Sequence, residues 1–183
     1  MDFLKIINKY YEKNTKARNI LLSHSRAVAK KALEIGGKNK NLNPDLKFIE
    51  EASMLHDIGI FLTNAPSIYC FGKRPYICHG FLGREILEKE GFLSHALVCE
   101  RHVGAGISKE ETKRGGFPLP FKDMIPLTIE EKIVCVADKF FSKKKDFLEK
   151  EKTIEEIKKD IKKYGKESFE RFENWLNILG ITN

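Results

Sequence analysis

Apolar residues recur every three or four positions along most of this chain, and this spacing predicts helices. Segments that alternate apolar and polar residues, which would indicate strands, are nearly absent. Glycine and proline separate one helical segment from the next. The pattern therefore predicts an all-α protein.

The pattern predicts eight helices. The first helix spans about 3–13, and the second spans about 16–35 and ends at Gly36-Gly37. The third is capped by Asn43 and closed by Gly59, and the fourth spans about 80–90. Two more cover about 94–102, after a capping Ser94, and 128–143, where Thr128 and Glu131 form a capping box. Two amphipathic helices follow, with these apolar positions: Ile154, Ile157 and Ile161, then Phe169, Phe172, Leu176 and Leu179.

Two long segments without helical spacing interrupt this series. Residues 61–78 are rich in aromatic residues, and residues 104–127 are rich in glycine and proline. Loops of this length inside a domain are more often lids or binding loops than simple connections. We expect a single domain over 1–183, with a core at about 16–143 and a C-terminal helical extension at about 153–180.

Composition indicates a globular chain with a basic surface. Hydrophobic residues make up 42% and charged residues 32%, and the net charge is +7. We interpret the lysine clusters at 143–145, 158–159 and 162–163 as the solvated face of C-terminal helices. Aromatic residues do not alternate with these lysines as a nucleic-acid surface requires, so nucleic acid is not the expected partner. A small anionic molecule fits the charge better.

The sequence contains no recognisable targeting or membrane segment. The N-terminal residues are too often charged for a signal peptide, and no run approaches the roughly 18 apolar residues of a membrane span. The four cysteines form no Cys-x-x-Cys pair, which is typical of reduced thiols that pack in a core. These features predict a cytoplasmic protein that does not act at a membrane, and they leave association into a homo-oligomer open.

Six ionisable residues suggest a metal site, and two of them lie in apolar stripes of predicted helices: His24 and Asp138. An unpaired buried carboxylate costs several kcal/mol, so Asp138 needs a cation. Lys139 is a poor partner by this reasoning, because adjacent helical residues project about 100° apart. Each of the histidines taken singly could be an ordinary core or helix-end residue.

The other four residues are predicted at helix ends. His56 and Asp57 share the last turn of a helix, where both can face an ion beyond the end, and Gly59 lets the backbone turn away. His79 begins one predicted helix and His102 ends another. Imidazoles and carboxylates together are typical of a divalent transition-metal site, with Fe, Mn, Co, Ni or Zn as candidates.

The order of these six residues resembles that of the HD superfamily of metal-dependent phosphohydrolases. The segment Leu55-His56-Asp57-Ile58-Gly59 looks like the HDIG signature of that superfamily. Segments 100–107 and 127–139 look like those of a small HDIG-domain group. The resemblance covers about residues 20–142 and leaves the last two helices unexplained. Many members carry lysine directly after the HDIG glycine, whereas this chain has Ile60.

The resemblance implies one or two bound metal ions. A first ion would be held by four residues: His24, His56, Asp57 and Asp138. Asp57 would bridge to a second ion held by His79 and His102, with His56 and Asp57 at the centre of catalysis. The fold implied is an HD-type helical domain, and the activity implied is hydrolysis of a phosphate ester or phosphoanhydride by a metal-activated hydroxide.

The expected substrate is a small molecule that carries phosphate, and a nucleotide is one candidate. Four loop residues are predicted to bind its phosphates: Lys73, Arg74, Lys113 and Arg114. Ordinary loop solubility is the alternative for these cations, and packing beneath a lid is the alternative for the loop aromatics. Two other functions remain open, namely an HD-type di-iron oxygenase with the same ligands and a non-catalytic, metal-stabilised regulatory domain.

Overall fold

The computed structural model describes residues 2–143 and 150–182. The helices found there are α1 (Phe3–Tyr10), α2 (Lys16–Lys38), α3 (Leu46–Leu55), α4 (His79–Lys89), α5 (Leu93–Arg101), α6 (Lys109–Gly115), α7 (Ile129–Lys139), α8 (Ile154–Lys162) and α9 (Lys166–Ile178). Short 3₁₀ turns span Lys40–Leu42, Ile60–Leu62, Pro66–Ile68 and Tyr76–Cys78. Two antiparallel strands of two residues each, β1 (Asn64–Ala65) and β2 (Cys70–Phe71), lie in the aromatic segment. The all-α prediction is confirmed.

The boundary predicted between α2 and α3 was wrong at both helices. Helix α2 continues through Gly36 to Lys38 instead of ending there, and a Cβ atom at Gly36 would lie 2.7 Å from a methyl group of Leu46. This glycine therefore serves close packing of α2 against α3. The N-cap of α3 is Asp45, whose carboxylate accepts from the Phe48 amide at 2.9 Å, whereas Asn43 adopts a left-handed turn conformation.

Two further helix ends differ from the prediction. Helix α5 begins at Leu93 after Phe92, so Ser94 is not its cap. Helix α7 ends at Lys139, four residues before the predicted end. Its predicted cap is confirmed, since the Thr128 hydroxyl accepts from the Glu131 amide at 3.2 Å. The capping box is not formed, because the Glu131 carboxylate accepts instead from the amide of the residue before the cap.

The second long segment contains helix α6, which the sequence pattern did not predict. Ser108 and Glu111 form a capping box at its start. The Glu111 carboxylate also pairs with Arg171 of α9 at 2.9 Å. A helix of seven mostly polar residues has no apolar stripe that would reveal it, and contacts outside the segment hold it in place.

The C-terminal helices α8 and α9 pack into the same hydrophobic core as α2 and α7. Phe172 of α9 is fully buried in a cluster with Val28 and Val134, and the apolar residues predicted to pack in α8 are also buried: Ile154, Ile157 and Ile161. Phe169 lies at the edge of this cluster and is only partly buried. The last two helices therefore extend the core from one side.

A second cluster of buried residues contains side chains from each of the first five helices, α1, α2, α3, α4 and α5. It contains Leu21 of α2 and Leu55 of α3, together with Leu87 and Cys99 of α4 and α5. Across the two described stretches of chain, no helix is long and apolar enough to cross a membrane.

We expect Phe172→Ala to lower the free energy of unfolding by about 3–5 kcal/mol, because it leaves a cavity in the shared core. Ile178→Ala, at a position of α9 that is 41% exposed, should change it by less than about 1 kcal/mol. Urea unfolding followed by circular dichroism measures both. One cooperative transition is expected for each variant. Early loss of part of the helical signal at an unchanged main midpoint would contradict a shared core.

Candidate metal centre

All six residues predicted as metal ligands lie together in the buried centre of the helices. His24 comes from the middle of α2 and Asp138 from the last turn of α7, whereas the other four stand at the ends of α3, α4 and α5. All six are at most 7% exposed. They form two groups of potential ligand atoms that share one residue, Asp57.

The first group comprises His24, His56, Asp57 and Asp138, with ligand atoms within 4.8 Å of one another. His24 Nε2 lies 2.9 Å from Asp138 Oδ1 and 3.3 Å from Asp57 Oδ2. His56 Nε2 lies 3.1 Å and 3.4 Å from the same two oxygens, of Asp57 and Asp138 respectively. Two imidazole nitrogens and two carboxylate oxygens thus converge on one small volume.

The second group comprises His79, His102 and the other oxygen of Asp57. The two Nε2 atoms are 3.0 Å apart and lie 3.4 Å and 3.5 Å from Asp57 Oδ1. Because Oδ2 faces the first group and Oδ1 faces the second, the Asp57 carboxylate spans both. A bridging role of Asp57 between two metal ions stays a prediction.

Three of the histidines are oriented by one repeated backbone contact. The Nδ1 atoms of His56, His79 and His102 each lie 2.7 Å from the carbonyl oxygen three residues earlier in the chain. The carbonyls of Ser53 and Cys99 lie in the last turns of α3 and α5, where carbonyl groups lack a partner within the helix, whereas that of Tyr76 lies in the short turn before α4 and also accepts from the His79 amide. A carbonyl oxygen only accepts, so Nδ1 is the donor in each contact. Nε2 of each neutral ring then has a free lone pair that points into the centre.

These contacts explain why the centre fits a cation. The lone pairs of His79 and His102 face each other at 3.0 Å, and both face a carboxylate oxygen. Asp57 Oδ1, the oxygen that both lone pairs face, is buried and lacks a well-directed hydrogen bond. Buried acceptors without donors are costly. Imidazole and carboxylate donors in this arrangement suit a divalent transition metal in each group.

The electrostatics of the two groups differ. Burial alone would lower the pKa of His56, but Asp57 and Asp138 outweigh it and raise this pKa to about 9. Burial lowers the pKa of His79 to about 3, and it also lowers that of His102. Although burial opposes ionisation of Asp57, the nearby His56 and Lys143 hold the pKa of its carboxyl well below the usual range. The second pair of imidazoles is therefore neutral and available as ligands at neutral pH.

Two lysines contact the carboxylates, and the sequence pattern missed both. The ammonium of Lys139 pairs with Asp138 Oδ2 and donates to the carbonyl of His102 at 3.1 Å. The prediction that Lys139 is a poor partner was wrong, because Asp138 lies in the last turn of α7 and the long lysine side chain can curl back. Lys143 lies 2.7 Å from Asp57 Oδ2 and is only 13% exposed, so it does not belong to a solvated face. The neighbouring Lys144 and Lys145 lie outside the described residues.

Gly59 serves close packing and not the chain turn that we expected. Its backbone has ordinary right-handed helical angles, and α3 ends earlier, at Leu55. A Cβ atom at this position would lie 2.3 Å from the carbonyl oxygen of His79 and 2.5 Å from the amide of Gly83. Glycine thus allows the start of α4, which carries His79, to dock directly on the turn after Asp57. Ile60, which follows, is fully buried in the core.

Within the described part of the chain, the four cations predicted to bind substrate form no ion pair or hydrogen bond with the six residues of this centre. Arg114 pairs with Glu167 of α9 at 3.0 Å, and the Arg74 side chain lies beside the Cys78 thiol. Lys73 and Lys113 are exposed. Among the residues described, the cations that contact the six are Lys139 and Lys143 instead. A role of the four loop cations in substrate binding stays a prediction.

A cleft of about 380 Å³ opens beside the centre. Its lining comprises Ala65, Ser67, Ile68, Tyr76, Ser142 and Lys143. Tyr76 connects the cleft to the metal ligands, because its ring stacks on that of His79 with centroids 4.6 Å apart. Four of the six lining residues belong to the aromatic segment 61–78.

Comparison with known proteins identifies the family. The sequence model of the HD domain matches residues 21–143, which is more than half of the chain. An uncharacterised protein of Methanocaldococcus jannaschii is 41% identical over 129 residues, which cover 69% of this chain and 68% of that protein. No solved structure matches the chain.

Two longer relatives carry the name tRNA (cytidine(56)-2′-O)-methyltransferase. The protein of Picrophilus torridus is 35% identical over 131 residues, and that of Thermoplasma volcanium is 33% identical over 127 residues. These matches cover 71% and 69% of this chain. They cover only 34% and 33% of the two relatives, so most of each methyltransferase has no counterpart here.

We expect the metal-free protein to be most stable near pH 6.5. The pKa of His79 is lowered from 6.5 to about 3 in the folded chain. Below pH 6.5 the unfolded chain binds a proton that the folded chain does not, so the free energy of unfolding decreases as the pH is lowered from 6.5. The pKa of His56 is raised to about 9, so its contribution is present below pH 6.5 and is lost as the pH rises through 9.

His79→Gln should flatten the acid side of this profile and leave the alkaline side unchanged. Urea unfolding in the presence of a chelator, repeated across the pH range, gives the slope of the unfolding free energy. An unchanged slope in the variant between pH 6.5 and pH 4 would contradict the assignment of a neutral, buried His79.

Metal stoichiometry tests the sharing of Asp57. Because Asp57 belongs to both groups, we expect Asp57→Asn to lose both ions, whereas His79→Gln should lose only the ion of the second group. Elemental analysis after dialysis measures the ions per chain. Asp160→Asn, on the exposed side of α8, is a matched control that should retain the wild-type content. Full metal content in Asp57→Asn would exclude a shared ligand.

Proposed function

This chain belongs to the HD domain family, and we propose that it is a metal-dependent phosphohydrolase. The proposed reaction is hydrolysis of a phosphate ester or phosphoanhydride in a small, nucleotide-like molecule. The observation that supports it best is the Asp57 carboxylate, whose two oxygens each face a separate set of imidazoles. Paired metal ions that share a ligand are typical of enzymes that cleave phosphate esters.

The protein side chains would position the metal ions and the substrate. Bound divalent ions would polarise the phosphoryl oxygens and lower the pKa of a water molecule. His56, His79 and His102 are held with Nε2 inward by their backbone carbonyl contacts, so little reorganisation precedes binding. Burial of the centre excludes bulk water, which strengthens the attraction between the site and a phosphate group.

A nucleotide is favoured among phosphate-containing molecules by two observations. The aromatic segment that supplies four of the residues lining the cleft also carries Phe71, whose ring is 74% exposed and can stack on a flat base. Two relatives of this domain are named tRNA methyltransferases, which makes nucleotides that derive from RNA reasonable candidates. The C-terminal helices α8 and α9 pack in the same core cluster as α7, which carries Asp138, and in this proposal they support the fold.

A metal-dependent hydrolase screen tests the proposal. The panel contains nucleoside mono- and polyphosphates, dinucleoside polyphosphates, short RNAs with terminal phosphates and p-nitrophenyl phosphate, each assayed with Mn²⁺, Co²⁺, Ni²⁺, Zn²⁺ or Fe²⁺. We expect phosphate or nitrophenol release that chelators abolish. Asp57→Asn should lower kcat by on the order of 10²–10³-fold or more. Asp160→Asn should retain activity within about twofold, since exposed ion pairs contribute little.

The same assay distinguishes the other two functions that the ligand set allows. Turnover under anaerobic conditions supports a hydrolase, whereas turnover that requires O₂ and iron would indicate an oxygenase and refute the proposal. Stable metal binding with no turnover on any phosphate ester would instead indicate a regulatory domain. Full activity of Asp57→Asn would refute the site itself.

A further inference from the structure

Lys143 stands between the metal centre and the cleft. Its ammonium lies 2.7 Å from Asp57 Oδ2 and 4.0 Å from Asp138 Oδ1, so it contacts both carboxylates of the first group. It also donates to the hydroxyl of Tyr76, the residue that stacks on His79. The same lysine lines the cleft. The Lys143 ammonium thus contacts two of the metal ligands, and its side chain also borders the cleft.

The composition of the cleft indicates what it binds. Of the described residues that line it, Lys143 is the charged one, and the others are apolar or carry hydroxyl groups. Among the described residues that line the cleft there is no carboxylate, so none of them neutralises the charge of Lys143. An anion that enters would therefore meet a cation at the inner end of the cleft, beside Asp57.

Lys139 does not share this position. Its ammonium pairs with Asp138 and donates to the His102 carbonyl at 3.1 Å, which ties α7 to the end of α5. It does not line the cleft. Lys139 thus orients the ligands, whereas Lys143 is the lysine that a molecule in the cleft can reach.

We propose that Lys143 binds the phosphoryl group of the substrate at the inner end of this cleft, with the organic part of a phosphate monoester lying between Ile68 and Tyr76. The proposal rests on the hydrolase function proposed above. Once divalent ions engage Asp57 and Asp138, these carboxylates no longer need the lysine as their counter-ion. Its flexible side chain is then free to pair with a phosphate oxygen of a molecule in the cleft.

Binding of inorganic phosphate to the metal-loaded protein, measured by titration calorimetry, tests this proposal without turnover. We expect Lys143→Gln to weaken phosphate binding by on the order of ten- to a hundredfold, as for the loss of a hydrogen bond to a charged group. Lys143→Arg keeps the charge and should retain binding within about fivefold. Lys38→Gln removes an equal charge from an exposed lysine, 74% exposed at the end of α2, and should bind like the wild type.

Metal content and thermal unfolding, measured on each variant, separate a binding role from a structural one. If Lys143→Gln retains its metal and its fold but binds phosphate weakly, the proposal is supported. If Lys143 is only a counter-ion of Asp57, Lys143→Gln will bind phosphate as the wild type does, and the proposal is overturned. If Lys143→Gln loses its metal or its fold, Lys143→Arg decides. The phosphate affinity of Lys143→Arg should then stay within about fivefold of that of the wild type. A loss of more than tenfold in a metal-loaded, folded Lys143→Arg would overturn the proposal.

Failure of this proposal can be told apart from failure of the proposed function. Turnover of a phosphate ester combined with unchanged phosphate binding in Lys143→Gln would refute the lysine and retain the hydrolase. Phosphate binding that depends on Lys143, without turnover of any ester, would retain the phosphate site and refute the hydrolase. Where an ester is turned over, Lys143→Gln should raise KM by more than it lowers kcat.

Discussion

The buried carboxylate of Asp57 is the constraint on which the rest of the structure depends. Both oxygens are inaccessible to solvent. Transfer of an ionised carboxylate from water to the protein interior costs several kcal/mol or more if the carboxylate has no partner there. Four imidazoles and the ammonium of Lys143 surround it at distances of 2.7–3.5 Å. Five helices must therefore arrive at one point with the correct side chains, and the packing of the core follows from that requirement.

Helix ends solve this geometric problem more readily than helix middles. At a helix end the last carbonyls have no partner within the helix, so His56 and His102 each take up one of them through Nδ1. The same contact satisfies the backbone and turns Nε2 toward the centre. Gly59 then brings the start of α4 close enough for His79 to reach Asp57. The ligands are thus positioned by backbone interactions that a side-chain substitution elsewhere would hardly disturb.

The parts of this design that depend on local pattern could be predicted from sequence. His24 and Asp138 stand in apolar stripes, where an ionisable group needs a partner, and the helical spacing showed both stripes. The parts set by distant contacts could not. Helix α6 carries a carboxylate that pairs with α9, and the glycine at position 36 lies inside α2, where Leu46 of another helix approaches it closely. The residues that neighbour each position in the sequence do not predict either contact.

The lysines were missed for a related reason, and they change the charge of the centre. A cluster of lysines is usually solvated, but Lys143 is turned inward by Asp57, 86 positions earlier in the chain, and Lys139 by a carboxylate in the same helix turn. Asp57 and Asp138 supply two negative charges, and these two lysines supply two positive charges. Imidazoles that bind a metal ion through Nε2 are neutral, so these protein groups would sum to zero in the metal-bound site. Each divalent ion then adds two positive charges to a buried site. Such a site is stabilised by an anion that completes the balance, and a phosphate group carries the charge and the oxygen ligands to do so.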